Sequence, residues 1–183
     1  MHPSEWIQPR TFRFPEAPGL PGNPELPALV YPRALSGRPN EALEVFARNG
    51  WLGGWTAGVY SYHHYHSNAH EALAVVQGTA VLQLGGDSGL RLPVSAGDVL
   101  VLPAGTAHKC ISSGPGFAVS GAYPDGMDYN LRTEDDADRL QSIRAEIAKV
   151  PLPLRDPLYG EDGPLPVLWG GAYPDRNRSG IDR

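Results

Sequence analysis

Four of the six histidines in this sequence fall within eight residues, and a glutamate follows the last of them directly. These residues are His63, His64, His66, His70 and Glu71. Imidazole nitrogens and carboxylate oxygens are common protein ligands of divalent transition metals. In an extended strand, His64 and His66 would project from one face about 6–7 Å apart, whereas His63 and Tyr65 would point the other way. Two imidazoles on one face can converge on a single metal ion.

Two further residues can complete such a ligand set. A tight turn over residues 67–70 would return Glu71 on the neighbouring strand, where its carboxylate can reach the same point. Downstream, Pro103–Thr106 predicts a turn that delivers His108 onto a new strand. A helical zinc-protease site at His66 and His70 is excluded, because that motif needs a glutamate directly after its first histidine and Ser67 occupies that position.

The spacing of these residues resembles the two motifs of the cupin superfamily. The first motif has Gly, His, His, Glu and Gly at set intervals, and the second has Gly, Pro, Gly, His and Asn. In this chain Ser112 takes the place of the asparagine, which is usually structural in the family, so the ligand positions are unaffected. The matching residues are Gly58, His64, His66, Glu71 and Gly78 in the first motif, and Gly97, Pro103, Gly105 and His108 in the second.

This resemblance implies one cupin domain over residues 1–183, all-β in class, with a double-stranded β-helix (jelly-roll) barrel. It also implies that one divalent transition metal ion binds inside the barrel. Iron, manganese, nickel, zinc and copper all remain open as its identity. Because cupins commonly pair, we expect a homodimer. The chain is further similar to small bacterial cupins that mostly lack a known activity. The implied metal ligands are His64, His66, Glu71 and His108.

The implied ligand set suggests two classes of function. Three neutral imidazoles and one carboxylate would leave a divalent ion with a net charge of +1, which attracts a small oxygen-bearing and anionic molecule. The leading hypothesis is a metal-dependent enzyme, either a dioxygenase-like oxidoreductase or an isomerase. The alternative is a non-catalytic module that binds or senses a small molecule. A metal-free site also stays open, since some cupins have lost their metal, whereas a storage role fits poorly because only one motif pair is present.

For several residues near the implied ligands, the sequence allows more than one role. Tyr60 and Tyr62 would share the face of His64, so they line a pocket or pack in the core. Cys110 lies two residues beyond His108 and is either a small core residue or a nucleophile. For His63 and His70 we expect a surface position or a supporting hydrogen bond to a ligand rather than metal ligation.

The uneven placement of glycine and proline residues divides the chain into three parts. Residues 1–50 form a proline-rich N-terminal arm, in which prolines at intervals of three favour an extended path and Leu26–Tyr31 suggests an edge strand. Residues 51–123 form the jelly-roll core, and residues 124–183 contain a C-terminal helix and a wrapped arm. The strands expected in the core are Thr56–His66, Ala72–Gln77, Thr79–Leu84, Leu90–Val94, Asp98–Leu102, His108–Ser112 and Phe117–Tyr123.

Two helices are expected outside the core. Asn40 is a candidate N-cap for a short helix that runs through Asn49 and stops at Gly50. Thr133 is a candidate N-cap for a helix that continues to about Lys149, with an apolar stripe facing the barrel. The stripe consists of Ala137, Leu140, Ile143, Ile147 and Val150. Beyond it, six prolines from Pro151 to Pro174 predict no further helix.

Composition excludes several other classes of protein. The 183 residues include 22 glycines and 19 prolines, too many for a long-helix protein. The net charge is −5 and no basic run occurs, so nucleic-acid binding is disfavoured. Apolar runs are too short to span a bilayer, and the proline-rich first twenty residues do not match a secretory signal. A single cysteine, Cys110, fits a cytoplasmic location.

Overall fold

The computed structural model describes residues 6–170. The predicted N-terminal arm includes residues 1–5 and the predicted C-terminal arm includes residues 171–183 with Pro174, and both of these ranges lie outside the described residues. In chain order the strands are β1 Arg10–Phe14, β2 Asn23–Tyr31, β3 Trp51–Ala57, β4 His64–Tyr65, β5 Glu71–Gln77, β6 Thr79–Leu84, β7 Leu90–Ser95, β8 Val99–Leu102, β9 His108–Ser113, β10 Ala118–Pro124 and β11 Arg132–Thr133. The α-helices are α1 Ala42–Arg48, α2 Leu140–Ala148 and α3 Pro164–Leu168.

The strands form two antiparallel sheets. One has the order β1-β2-β8-β5-β10-β3 and the other the order β11-β4-β9-β6-β7. Such antiparallel strand pairs, closed into two facing sheets, are the architecture of a jelly roll. The predicted all-β, double-stranded β-helix fold is therefore confirmed.

The central strands β5 and β8 of the six-stranded sheet are buried on both faces. In β5, Leu73 and Val75 point toward the other sheet and pack on residues of β6 and β7, whereas Ala72 and Ala74 face α1, Trp51 and Trp169. Strands covered on both faces need continuous apolar sequence, as in β5 and in the Val-Leu-Val-Leu run of β8. By contrast, β7 alternates buried and exposed residues, because only one of its faces meets the core.

The predicted single strand Thr56–His66 is wrong. The strand β3 ends at Ala57 and pairs with β10 in the six-stranded sheet, whereas β4 begins at His64 and pairs with β9 in the other sheet. The chain must leave one sheet to join the other, so it cannot remain one strand. The remaining core strands begin and end within two residues of their predicted bounds.

The N-terminal arm is more folded than its prolines predict. Residues Ala17 and Leu20 exchange backbone hydrogen bonds across a turn, so the path from Pro15 to Gly22 is not a continuous polyproline-like segment. The strand β2 lies between β1 and β8 rather than at the sheet edge. The edge position belongs to β1. The sequence analysis did not predict this strand, because its five residues are too few to show a clear alternation of apolar and polar side chains.

The predicted caps differ in outcome. Asn40 lies inside a 3₁₀ turn that precedes α1, and neither of these helices has a side-chain N-cap bond, so that prediction is wrong. Gly50 follows α1 with φ of +78°, a backbone that favours glycine, as predicted for the helix stop. Thr133 forms a capping box with Asp136, which confirms the second N-cap.

The helix α2 follows the capped segment, which itself starts as a 3₁₀ helix over Glu134–Arg139. Within the predicted apolar stripe, Ile143 is fully buried against Leu20, Tyr65 and Ala107, and Ile147 packs on the same cluster. These contacts attach α2 to the end of the barrel that carries β4. The helix therefore lies beside the histidine segment.

The C-terminal arm contains a further short helix, α3, which the prolines led us not to expect. Pro164 is the first helical residue and Pro166 lies in the same turn, where backbone N–H groups have no intrahelical acceptor and proline costs nothing. Ahead of α3, the buried carboxylate of Asp156 accepts hydrogen bonds from Tyr31 Oη and from the backbone N–H groups of Leu158, Tyr159 and Leu165. The arm is thus fixed against β2.

Candidate metal centre

The structure brings the four predicted ligand residues together at one end of the barrel. His64 and His108 are paired neighbours on β4 and β9, and their ring centroids lie 4.1 Å apart. His66 follows β4, and Glu71 begins β5 in the opposite sheet. All four side chains are buried. The cluster therefore joins the two sheets where the chain crosses between them.

Two of the imidazoles point toward the same carboxylate oxygen. His66 Nε2 lies 3.4 Å from Glu71 Oε2, and His108 Nε2 lies 3.3 Å from it. These separations exceed the usual N–H···O distance of about 2.9 Å. They match the ~3.3 Å that separates two ligand atoms bound tetrahedrally at about 2.0 Å to one metal ion.

The hydrogen bonds of the three histidines determine which ring nitrogen carries the proton. Each Nδ1 lies against a backbone carbonyl oxygen, which can only accept, so each Nδ1 must donate. In the neutral ring, the lone pair is then on Nε2, the nitrogen free to bind a metal. The carbonyls belong to Tyr62 for His64 (3.1 Å), Thr106 for His108 (3.1 Å) and Asn130 for His66.

The carboxylate of Glu71 has one oxygen held and one left over. Tyr123 Oη donates to Oε1 over 3.0 Å, and Trp55 Nε1 donates in turn to Tyr123 Oη over 2.8 Å. Oε2 is buried and has no hydrogen-bond partner among residues 6–170. A buried carboxylate oxygen without a partner costs free energy. A cation between Oε2 and the imidazoles would remove that cost.

The pKa values support an ionised Glu71 beside a neutral His64. Burial alone would raise the pKa of Glu71, but His108 and His66 outweigh it and hold the pKa well below its usual range. Burial, with His108 next, lowers the pKa of His64 to about 3, so this ring is neutral at pH 7. For His66, burial lowers the pKa but Glu71 outweighs it and the pKa is raised. The cluster therefore attracts a positive charge.

The donor set of three imidazoles and one carboxylate fits a divalent transition metal, and the unpartnered Glu71 oxygen supports that fit. Within residues 6–170, however, no group of three or more His, Cys, Asp or Glu side chains has the geometry of an assembled metal site. The ligand set therefore remains a prediction, although its members are neighbours.

The comparisons with known proteins agree with this architecture. A family model described as "Cupin domain" matches residues 54–120. The uncharacterized protein YjlB of Bacillus subtilis (strain 168) is 39% identical over 160 residues, covering 87% of this chain and 96% of that protein. The chain belongs to the cupin superfamily.

Solved cupin-like structures resemble this cupin more distantly. A conserved protein with a double-stranded β-helix domain from Klebsiella pneumoniae is 16% identical, with a TM-score of 0.36 over 73% of this chain and 88% of that one. An acireductone dioxygenase from Bacillus anthracis, with a cadmium ion in its active centre, is also 16% identical, with a TM-score of 0.36. That match covers 49% of this chain and 60% of the dioxygenase.

The other candidate residues of this cupin are distributed around the site. Tyr60 lines the pocket beside the cluster and is 52% exposed. Tyr62 stacks on Tyr60 at 4.9 Å and is also exposed, outside the pocket wall. Core packing, the alternative for both tyrosines, is therefore wrong. Cys110 is half-buried against the core between the sheets and does not line the pocket, so it is placed as a core residue.

Neither His63 nor His70 faces the cluster, but both are buried rather than at the surface. His70 Nδ1 accepts the backbone N–H of Ala104 over 3.0 Å, which supports the turn that precedes His108. Burial lowers the pKa of His70 to about 4, consistent with a neutral acceptor. His63 Nε2 contacts Asp87 Oδ1 over 2.8 Å at the edge of the barrel.

A network that the sequence did not reveal supports His66. The Asn130 backbone carbonyl accepts from His66, while the Asn130 side chain exchanges hydrogen bonds with Ser67. Ser67 Oγ then donates to Glu146 on α2, which also pairs with Arg132. Asn130, Arg132 and Glu146 lie more than sixty residues after His66, and Asn130 reaches the ring through its backbone, so no side-chain pattern could have predicted them.

The pocket beside the cluster has a volume of about 540 Å³. This volume lies in the usual range for small-molecule sites, roughly 300–1,000 Å³. Tyr123, which the sequence analysis did not select, lines it together with Trp55 and Tyr129. The cluster is thus reached through a pocket large enough for a small organic molecule.

Proposed function

We propose that this cupin binds one divalent transition metal ion through His64, His66, Glu71 and His108, and acts with it on a small oxygen-bearing molecule. The observation that carries the proposal is the unpartnered, buried Oε2 of Glu71, which faces the Nε2 atoms of two imidazoles. Those imidazoles donate through Nδ1 to carbonyls, so Nε2 and Oε2 present lone pairs to each other unless a metal ion lies between them or Nε2 is also protonated.

The chain's own residues prepare the site. The carbonyls of Tyr62, Thr106 and Asn130 fix the imidazole tautomers, and Tyr123 holds Glu71 through Oε1. A bound metal would supply Lewis-acid polarisation or activation of dioxygen. The apolar wall of the pocket limits the water that reaches the cluster. A divalent ion with this ligand set carries a net charge of +1 and would attract an anionic oxygen donor.

The alternative function is a metal-bound module that binds or senses a small molecule without turnover. One observation favours it: among the described residues lining the pocket, the titratable groups outside the four-residue cluster are tyrosine hydroxyls only. A tyrosine hydroxyl keeps its proton at neutral pH, so it is a weak general base. Catalysis would then depend on the metal alone.

Oxygen uptake separates the two functions. Metal-free protein would be loaded in parallel with iron(II), manganese(II), nickel(II), zinc(II) or copper(II) and mixed with pooled small metabolites. Oxygen consumption or product formation with any metal supports the enzyme. Ligand binding without turnover across all five supports the binding module, and failure to retain any of the five contradicts both.

The homodimer and the cytoplasmic location belong to this proposal as expectations from the sequence. None of the helices in residues 6–170 combines the length and the apolar character required to cross a bilayer. We expect sedimentation equilibrium to give about twice the 19.7 kDa of one chain. A concentration-independent mass of one chain would contradict the dimer.

A further inference from the structure

The wall of the pocket beyond the metal ligands is aromatic and apolar. Three large side chains at its mouth are about half exposed: Tyr60 at 52%, Tyr129 at 49% and Leu131 at 47%. Trp55 and Val59 continue the same wall. Exposed apolar side chains gathered around one pocket favour contact with an apolar part of a ligand.

The two exposed tyrosine rings contact different histidines of the cluster. Tyr129 stacks on Tyr123, with ring centroids 4.3 Å apart, and meets His66 at 5.1 Å. Tyr60 meets His64 edge-on at 5.0 Å. Each ring therefore adjoins one of the predicted ligands. A flat molecule bound at the cluster can therefore contact these rings.

Apart from the metal position, the described pocket wall has no positively charged side chain that could bind an anion. None of the described residues that line it is a lysine or an arginine. Two nearby cations are paired elsewhere, Lys109 with Asp87 and Arg132 with Asp136 and Glu146. A ligand with two or more negative charges would thus meet one net positive charge, whereas a monoanion would balance it.

We propose that the ligand of this pocket is an aromatic monoanion, a flat ring that bears one ionised oxygen group. The ring packs against Tyr60 and Tyr129, and the oxygen group points to the position enclosed by His64, His66, Glu71 and His108. This inference rests on the proposed metal function for its charge argument. The aromatic preference rests on the pocket wall alone. The charge argument also disfavours phosphorylated compounds as ligands.

Three matched probes test this inference by calorimetry on zinc-loaded protein, with metal content measured on each sample. Benzoate combines a flat ring with one carboxylate, cyclohexanecarboxylate keeps the carboxylate but has a saturated ring, and phenyl phosphate keeps the flat ring but carries two charges at pH 8. We expect benzoate to bind at least about tenfold more tightly than either analogue. Cyclohexanecarboxylate loses the aromatic contacts, and phenyl phosphate loses the charge balance. Equal affinity for benzoate and cyclohexanecarboxylate, or tighter binding of phenyl phosphate, would overturn the inference.

Variants of the two mouth tyrosines identify the groups responsible. Tyr60→Leu and Tyr129→Leu remove a ring but keep an apolar side chain, and each should weaken benzoate binding about three- to tenfold without loss of zinc. Tyr60→Phe and Tyr129→Phe are the matched controls, because they keep the ring and remove only the hydroxyl, and should retain affinity. If the leucine variants bind benzoate as the wild type does, the rings are not the binding surface.

The outcomes for the two proposals are distinguishable. A protein that retains none of the five metals but still prefers benzoate to cyclohexanecarboxylate would overturn the proposed metal function and uphold the aromatic preference. A protein that holds zinc but binds the two carboxylates equally would uphold the proposed metal function and overturn the aromatic preference.

Discussion

At the scale of single residues, the candidate site depends on which atoms are already occupied. Each imidazole of His64, His66 and His108 uses Nδ1 on a backbone carbonyl, which leaves Nε2 available. Glu71 uses Oε1 on Tyr123, which leaves Oε2 available. This assignment of occupied and available atoms implies that Glu71 would bind a metal through one oxygen.

Tyr123→Phe tests the role of the hydroxyl that holds Glu71. The change removes one oxygen from a buried side chain and leaves both Glu71 Oε1 and Trp55 Nε1 without that partner. Loss of a residue that orients a ligand typically costs about 10- to 100-fold in metal affinity, and we expect a loss in that range. Competition with a chelator of known affinity measures it. An unchanged affinity would show that Tyr123 does not position the carboxylate.

At the scale of elements, the site depends on contacts between segments that are distant in sequence. Helix α2 reaches His66 through Glu146, Ser67 and Asn130. The C-terminal arm is fixed against β2 by Asp156, whose partner Tyr31 lies 125 residues earlier. Each contact satisfies buried or half-buried polar groups, so each has a measurable consequence when it is removed.

Glu146→Ala should lower metal affinity by less than the loss expected for Tyr123→Phe, because Glu146 acts on His66 through two intervening residues. The matched control is Glu44→Ala on α1, since Glu44 is exposed, its one ion pair within residues 6–170 is with Arg48 in the same helix, and it lies away from the pocket. The same chelator competition applies to both. Equal metal affinities in the two variants would show that α2 does not support the site.

Asp156→Ala should destabilise the fold without changing metal content per folded chain. The substitution leaves three backbone N–H groups and Tyr31 Oη without their acceptor in a buried position. We expect the free energy of unfolding to fall by about 3 kcal/mol or more. Tyr31→Phe, which removes only one of these hydrogen bonds, should cost about 1 kcal/mol. Urea unfolding that shows no difference between wild type and Asp156→Ala would contradict this role of the arm.

Some elements were predictable because their signals are local. The predicted bounds of β6 and β7 agree with the structure within one residue, and Thr133 was predicted as the cap of the segment that leads into α2. The break between β3 and β4 was not predictable, because it is imposed by pairing with different sheets. The short helix α3 was missed because proline interrupts a helix interior but is accepted in the first turn.

At the scale of the whole molecule, one fold brings the motif residues into a common site. The four residues implied by the cupin resemblance come from both sheets, yet they lie side by side and buried. The supporting carbonyls and the aromatic pocket wall could not be read in advance, since they depend on how loops close over the barrel end. The sequence therefore indicated which residues meet, and the structure adds which atoms are available.

The metal content of wild type and His108→Ala, both purified without added metal, tests the central claim most directly. His108 Nε2 lies 3.3 Å from Glu71 Oε2 and belongs to the predicted ligand set, whereas the core between the sheets is formed by other side chains. The variant should therefore keep the fold, as judged by circular dichroism and thermal unfolding. Elemental analysis should find close to one transition metal ion per wild-type chain and a small fraction of that in the variant. Equal metal content in the two folded proteins would contradict the four-residue site.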